Sequence, residues 1–252
     1  MTGDSAKRIM MGFDDLTFFD LEITIFNSQL DEVVLPLFNA TDRNLTEWKK
    51  QIDAEFDEAI SKAANEADEI DAKGEAAYRE TTVDEQRDLI GAACLAFVSA
   101  ALKDRLDGMG RYFKKSHPPD DREYVGRSWL QKRQDEYKKR FQIDFTKSPV
   151  TIDKIEELIL ARNAGLHWDG SALEEYRQKV EAPRFIKDGS FTVDHDKFLD
   201  AIASFRTDLM GHLIFFIFHR TAQTLKYCFA ITSHCDRHNC ILGSMSNQNW
   251  RE

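Results

Sequence analysis

The chain has 252 residues, of which 42% are hydrophobic and 31% charged, and its formal net charge is −10. This length suits one large domain, or one and a half small ones, with a sizeable buried core. The 12 Gly and 5 Pro residues are too few for an all-β fold, which needs many turns, and favour long helices. The acidic balance argues against a general coat for nucleic acid, because phosphate binding depends on Lys and Arg.

Three features predict where the protein resides. The N-terminus, Met1 to Met11, has no apolar segment of the kind found in signal peptides. The most apolar run, Leu209 to Phe218, is far shorter than the roughly 20 residues of a membrane-spanning helix and is interpreted as a buried helix. The cysteines follow no pattern of a secreted scaffold. We therefore expect a soluble cytoplasmic protein that makes no membrane contact.

Helical periodicity dominates the first half of the chain. Apolar residues at spacings of three and four predict a first helix from Asp14 to Phe38, which Pro36 ends in its last turn. A central helix with many apolar residues is predicted to begin at Thr82, where Glu85 completes a capping box, and to stop before Pro118–Pro119.

Between these two helices the sequence predicts another, from Asn44 to Glu80, capped by Asn44 or Thr46. Its middle, Ala54 to Ala77, has high helix propensity but few large apolar residues, so it should project or pack only lightly. The surrounding stretch from Thr41 to Ala92 holds 15 acidic and 7 basic residues. Its simplest interpretation is a solvated acidic helix face.

The opposite charge follows further along. From Arg111 to Lys147 there are 11 basic and 6 acidic residues, and a helix is predicted from Tyr124 to Phe141. Thr151 is expected to cap a short amphipathic helix from Ile152 to Ala164. A brief helix from Ser171 to Val180, with Ser171 as its cap, follows a turn.

One tight turn interrupts the helices. Asp188–Gly189 stands between the apolar pairs Phe185–Ile186 and Phe191–Val193, the pattern of a β-hairpin. Asp194 is then expected to cap a last long helix. The predicted fold class is all-α with one small hairpin. We divide it into an N-terminal helical extension (1–80), a helical bundle (81–232) and an irregular tail (233–252).

The candidate chemistry lies at Arg162–Asn163–Ala164–Gly165–Leu166–His167. Gly-rich phosphate loops, nucleophile elbows and His-Glu-x-x-His motifs do not occur in the sequence. Arg111 to His117 and Arg206 to His212 have a similar spacing. Only the stretch ending at His167 combines a preceding amphipathic helix, an Asn directly after the Arg and a Gly before the His.

This stretch resembles the signature of the HEPN family (higher eukaryotes and prokaryotes nucleotide-binding domain), and the resemblance extends roughly from Asp84 to Phe229. It implies a small helical bundle. Many family members are metal-independent ribonucleases of toxin–antitoxin or phage-defence systems, with an active site at a homodimer interface. By that resemblance Arg162 and His167 would be catalytic with Asn163 in support. RNA would be the substrate, no metal or cofactor would be needed, and a regulatory or antitoxin protein would be a partner.

These residue types suit the implied reaction. RNA cleavage by its own 2′-hydroxyl needs a base for that hydroxyl and an acid for the leaving oxygen, and His can serve as either near neutral pH. Arg is always charged and stabilises the charge that develops on phosphate. The expected product carries a 2′,3′-cyclic phosphate, and DNA should be a poor substrate.

Other interpretations remain open. Arg162 and His167 can simply cap a helix end or pair with Asp169. The chain would then be a non-catalytic interaction module of the same fold, which the acidic segment favours, or a nucleotide-binding module. A zinc site in the tail is a further alternative, but the tail lacks a paired Cys-x2-Cys knuckle. Its candidate ligands are Cys228, His234, Cys235, His238 and Cys240.

Overall fold

The computed structural model describes residues 13–115, 122–147, 152–167 and 170–206. The described chain is mostly helical with one two-stranded antiparallel sheet, which confirms an all-α fold with one small hairpin. The helices are α1 (Phe13–Gln29), α2 (Leu35–Lys62), α3 (Glu66–Lys115), α4 (Trp129–Phe141), α5 (Asp153–Leu166), α6 (Ser171–Lys179) and α7 (195–206). The strands are β1 (Ile186–Lys187) and β2 (Ser190–Phe191). Of these helices, none has the length and hydrophobicity that crossing a bilayer requires.

The predicted end of the first helix at Pro36 is wrong. A π turn, Leu30–Val34, joins α1 directly to α2, and the N–H of Leu35 donates to the carbonyl oxygen of Leu30. Pro36 therefore falls in the first turn of α2. A missing N–H is tolerated there, because the first N–H groups of a helix have no intrahelical partner. In the π turn an N–H group donates to the carbonyl five residues earlier, instead of four as in α1 and α2. Because this change occurs just before Pro36, the chain stays helical past the proline.

The predicted helix starts at Asn44 or Thr46 and at Thr82 are also wrong, because all three residues lie inside helices. The Thr46 hydroxyl donates to the carbonyl of Asp42 at 2.8 Å, and the Thr82 hydroxyl donates to Tyr78 at 3.0 Å. A hydroxyl bonded to the preceding turn does not cap a helix start.

The start of α3 lies at a site that the sequence analysis missed. The Asp68 carboxylate accepts from the N–H of Ala64, while the Asn65 side chain accepts from the N–H of Asp68. This reciprocal pair does the work of a capping box. It also marks the real break between α2 and α3, at 63–65.

The second part of α2 and the first part of α3 form an antiparallel hairpin that we call the acidic arm (residues 42–88). Two ion pairs join its helices, Arg87 with Asp42 and Arg79 with Glu55. The residue numbers fall along α3 as they rise along α2, so the two helices are antiparallel. Leu45, Ile52 and Val83 form a small core of their own. Between residues 53 and 82 none of the described side chains is buried, which confirms the expectation of light packing.

The main core surrounds the second half of α3. Helices α1, α4 and α5 pack against it, and α6 packs on α5. Helix α7 lies against the junction of α1 and α2: Phe198 stacks on Phe38 at 3.9 Å, and Arg206 pairs with Asp31 at 2.6 Å. Residues 26–38 thus share the main core with the residues beyond 90. Helix α3 crosses residue 80 without interruption, and the proposed division at 80–81 stays a prediction.

Two boundaries in the second half differ from the prediction. Helix α4 begins at Trp129 rather than Tyr124, because the Ser128 hydroxyl accepts from the N–H of Gln131 and caps the helix there. Helix α6 begins at Ser171, but Gly170, with φ 73°, occupies the cap position instead of Ser171. Thr151 and the tail, 233–252, lie outside the described residues.

The predicted hairpin and the cap after it are confirmed. Ile186 pairs with Phe191 and Lys187 with Ser190. Both turn residues have positive φ, 50° at Asp188 and 84° at Gly189, as a tight primed turn requires. Asp194 Oδ1 accepts from the backbone N–H groups of Asp196 at 3.1 Å and Lys197 at 3.2 Å, and so caps the start of α7.

Candidate functional site

The candidate residues occupy the last turn and the end of α5. The helix starts with Asp153 and Glu156 in its first turn, where negative charge suits the helix dipole. Its apolar side, with Ile155 and Leu158, is buried in the main core. This burial holds the C-terminal end of α5 in place beside α3 and β2.

Gly165 sets how closely α5 approaches its neighbours. A Cβ atom at this position would lie 2.6 Å from the Cβ of Ala92 and 2.7 Å from the ring of Phe191. Any other residue would therefore push the end of α5 away from α3 and from the hairpin. The Gly that precedes His167 has a packing role as well as a place in the motif.

Asn163 is bonded to both of the other candidate residues. Its side-chain oxygen accepts from Nη1 of Arg162 at 3.0 Å, and its carbonyl oxygen accepts from the backbone N–H of His167 at 3.0 Å. The first bond holds the guanidinium group of the half-buried Arg162. The second is the last backbone bond of the helix, which ends because His167 has an extended conformation with φ −104° and ψ 114°.

His167 is exposed and lines an open groove of 560 Å³ between α3, α5, α6 and β2. Leu89, Leu173 and Phe191 supply an apolar part of its wall. Arg162 is not among the lining residues. Among the described residues, the structure brings Arg162 to Asn163, while only His167 of the two proposed catalytic residues lines this groove.

Three carboxylates of α3 line the same groove: Asp84, Glu85 and Asp88. Burial raises the pKa of Asp88 to about 6, and the charge of Asp84 adds to that effect. The N–H of Val193, which donates to Oδ1 of Asp88 at 2.6 Å, acts in the opposite direction. The side of the groove that α3 forms is therefore acidic.

The sequence analysis missed these carboxylates, although a signal was present. Asp84 and Asp88 are four residues apart, so they share one face of a helix. The capping box predicted at Thr82 and Glu85 placed a helix start here, so the face that Asp84 and Asp88 share was not recognised. Only the packing of α5 on α3 shows that this face of α3 lies opposite His167.

The two competing Arg–His pairs can be assessed at their Arg residues. Arg206 forms an ion pair with Asp31, in a contact between α7 and the π turn. Arg111 is exposed and lies 4.0 Å from Asp104. Their partners, His117 and His212, lie outside the described residues, as does Asp169.

Side chains that could ligate a metal are scattered over the described ranges. These ranges contain no cluster of three His, Cys, Asp or Glu side chains that could hold a metal ion. Cys94 is a free, buried thiol in the core, and burial raises its pKa to about 11. Cys228 and the candidate ligands in the tail lie outside these ranges.

Comparison with known proteins adds no relative to this description. No protein-family model, curated protein or solved structure matches the chain.

Proposed function

We propose that the chain is a metal-independent endoribonuclease of the HEPN type, acting as a homodimer in a toxin–antitoxin or phage-defence system. The observation that supports this most directly is the end of α5. There Asn163 bonds to the guanidinium of Arg162 and to the backbone of the exposed His167. The proposal otherwise rests on the resemblance of the Arg162–His167 stretch to that family.

The roles follow from the side-chain chemistry. His167 would take the proton of the 2′-hydroxyl in one copy and donate a proton to the leaving 5′-oxygen in the other. Arg162 would stabilise the negative charge on the phosphate, and Asn163 would hold its guanidinium in place. A second copy is part of the proposal, because the active site in the family that the motif resembles forms at a homodimer interface.

The test is cleavage of labelled single-stranded RNA in the presence of EDTA. We expect the unaltered chain to leave 2′,3′-cyclic phosphate ends and to spare DNA of the same sequence. Replacing His167 by Ala should lower the rate by about 100-fold or more, since a positioned general acid or base contributes that much. Arg162→Ala should lower it as well, because the charge on the phosphate loses its partner.

Matched variants separate the site from surface effects. His195→Gln changes a half-exposed histidine on α7, and Arg111→Ala removes an exposed arginine. Both should leave the rate within about twofold. Equal cleavage by the unaltered chain and by His167→Ala, or no cleavage by either across varied RNA sequences, contradicts the proposal.

A second function is favoured by the acidity of the groove. The carboxylates Asp84, Glu85 and Asp88 beside His167 suit a cationic segment of a partner protein better than a phosphate. The chain would then be a non-catalytic interaction module. In that case the His167→Ala variant keeps its binding to partners, while Asp84→Asn combined with Glu85→Gln loses it, as measured by calorimetry with a Lys-rich peptide.

A further inference from the structure

A second pocket lies on the other charged region of the chain. It measures 280 Å³ and lies between α3, the segment 122–128 and the start of α4. It shares none of its lining residues with the groove at His167. The side chains that line it are Lys103, Tyr124, Trp129, Lys132, Arg133 and Glu136.

The segment that carries Tyr124 is fastened to α4. The N–H of Val125 donates to Asp135 at 2.8 Å, and the N–H of Arg127 donates to Gln131 at 2.9 Å. Gly126 makes this close approach possible, because a Cβ atom there would lie 2.5 Å from the backbone nitrogen of Lys132. Tyr124 is thereby held at the same pocket as Trp129, which packs partly against the main core.

The charged side chains that line the pocket belong to a network of ion pairs in which cations outnumber anions. Arg133 lies 2.6 Å from Asp107, which also binds Lys103 at 3.0 Å. Glu136, only 2% exposed, is bound by Lys114 at 2.8 Å and by Arg133. These two carboxylates thus face three cations, two of which line the pocket itself.

The carboxylate of Asp107 keeps its negative charge over a wide pH range. Burial by itself would raise its pKa, but the side chains of Lys103 and Arg133 outweigh burial and lower it. The ion pairs therefore hold their arrangement at neutral pH. Lys132 adds a further positive charge at the rim, since it is exposed and its side chain has no polar partner among the described residues.

Aromatic side chains beside excess positive charge are the usual means of holding a single-stranded nucleic acid. Bases stack on aromatic rings whatever their sequence, and Lys or Arg pairs with the phosphates. A ring that is already packed in place loses little freedom on binding, which favours affinity. The volume of 280 Å³ lies near the lower end of the range for ligand pockets, roughly 300 Å³, so it leaves no room for a ligand much larger than one nucleotide unit.

We propose that this pocket binds one nucleotide unit, with its base stacked on Trp129 and Tyr124 and its phosphate paired with Lys132 and Lys103. The proposal rests on the proposed ribonuclease function for its biological role, because it gives that function an RNA-holding surface away from the acidic groove. The nucleotide can belong to an RNA strand or be free, and the experiment distinguishes the two.

The test measures binding without cleavage. A fluorescent 12-nucleotide single-stranded RNA is titrated with the full chain carrying His167→Ala, and fluorescence anisotropy is recorded. We expect Lys132→Glu to weaken binding by about fivefold or more and to reduce its dependence on salt, because a phosphate contact is lost. Trp129→Leu should weaken it by about tenfold, the effect of removing a stacking platform.

The matched control is Lys50→Glu, the same charge change at an exposed lysine of the acidic arm. It should leave the affinity within about twofold. Lys132→Arg should keep most of the affinity, since a cation remains at the rim. Thermal melts check the fold of each variant, and if Trp129→Leu does not fold, Lys132→Glu decides alone.

A second arm adds unlabelled uridine or adenosine monophosphate as a competitor. Displacement of the RNA supports the proposal with a free nucleotide as a sufficient ligand. RNA binding that resists the monophosphate but falls in Lys132→Glu supports it with a strand as the ligand. RNA affinity that is undetectable, is unchanged in Lys132→Glu, or falls equally in Lys50→Glu overturns it.

The outcomes for the two proposals are distinguishable. RNA binding that depends on Lys132, without cleavage by the unaltered chain, removes the ribonuclease function and keeps the pocket. Cleavage that depends on His167, with RNA affinity unchanged in Lys132→Glu, removes the pocket and keeps the ribonuclease.

Discussion

At the scale of single residues, Asp88 shows how packing changes the chemistry of a side chain. Its ordinary pKa is 3.8, but burial between α3 and the hairpin raises the pKa to about 6. The hydrogen bond from the N–H of Val193 favours the charged form and limits the shift. Near neutral pH the carboxylate is ionised at a cost in stability, and it becomes protonated in mildly acidic solution.

This cost predicts how stability depends on pH. Because the folded-state pKa of Asp88 lies above 3.8, the folded chain binds more protons between pH 4 and 6. The contribution of Asp88 to stability is therefore largest below pH 4 and is lost as the pH rises through 6. Asp88→Asn keeps an oxygen for the N–H of Val193. Relative to the unaltered chain, the variant should gain about 1 kcal/mol on going from pH 4 to 7, after a reduction for solvent screening.

Urea unfolding at both pH values measures this difference. Glu85→Gln neutralises an exposed carboxylate of the same groove and serves as the control. Its free energy of unfolding should show little of this gain between pH 4 and 7. A gain of equal size in both variants would mean that overall charge, rather than the burial of Asp88, causes the effect.

At the scale of elements, two glycines decide how the central helices meet. Gly165 of α5 lies against Ala92 and Phe191, and Gly91 of α3 lies against Val193. A Cβ atom at Gly91 would come within 2.5 Å of the Val193 side chain. The absence of side chains at these positions lets α3, α5 and the hairpin share one tight contact, which places His167 at the groove.

A pair of Gly→Ala substitutions tests this contact. Gly165→Ala should destabilise the chain by about 1–3 kcal/mol, because the added methyl group has no room beside Ala92. Gly74→Ala, in α3 of the acidic arm, meets nothing within 4 Å. It should stabilise the chain by about 0.5–1 kcal/mol through helix propensity. Thermal and urea unfolding measure both changes, and a neutral Gly165→Ala would show that α5 can shift without cost.

At the scale of the whole molecule, the charges are separated. The acidic arm projects from the main core with little buried surface, whereas the basic residues gather around α4 and the end of α3. The groove at His167 adjoins the acidic side, and the pocket at Trp129 lies on the basic side. An RNA strand that reaches His167 is thus expected to be held from the basic side, and RNA binding should weaken steeply with salt.

The proposed active site also predicts a dependence on concentration. If two copies supply the catalytic residues, the cleavage rate per chain should fall once the protein is diluted below the dissociation constant of the dimer. Analytical ultracentrifugation gives that constant, and initial rates over the same concentrations test the link. A rate per chain that stays constant across the transition from dimer to monomer contradicts a shared site.

Features that depend on neighbouring residues could be predicted from the sequence. Asp188–Gly189 adopts positive φ and forms the predicted turn, and Asp194 begins the helix after it, because both effects act within a few residues. The contrast between the acidic arm and the basic segment is likewise visible in composition. The sequence also places Arg162, Asn163 and His167 at a helix end, although their catalytic role stays a prediction.

The remaining features depend on contacts that local patterns do not encode. Pro36 does not end a helix because a π turn precedes it, and Thr82 does not start one because its hydroxyl bonds to Tyr78 within a longer helix.

The sequence by itself therefore determined the helical class, the hairpin and the position of the Arg–Asn–His motif, because these follow from backbone preferences and short-range spacing. Only the tertiary structure decided that carboxylates of α3 face His167, and that Tyr124 and Trp129 meet at one pocket. Those arrangements arise from the packing of α5 on α3 and of segment 122–128 on α4, which brings residues far apart in the chain together.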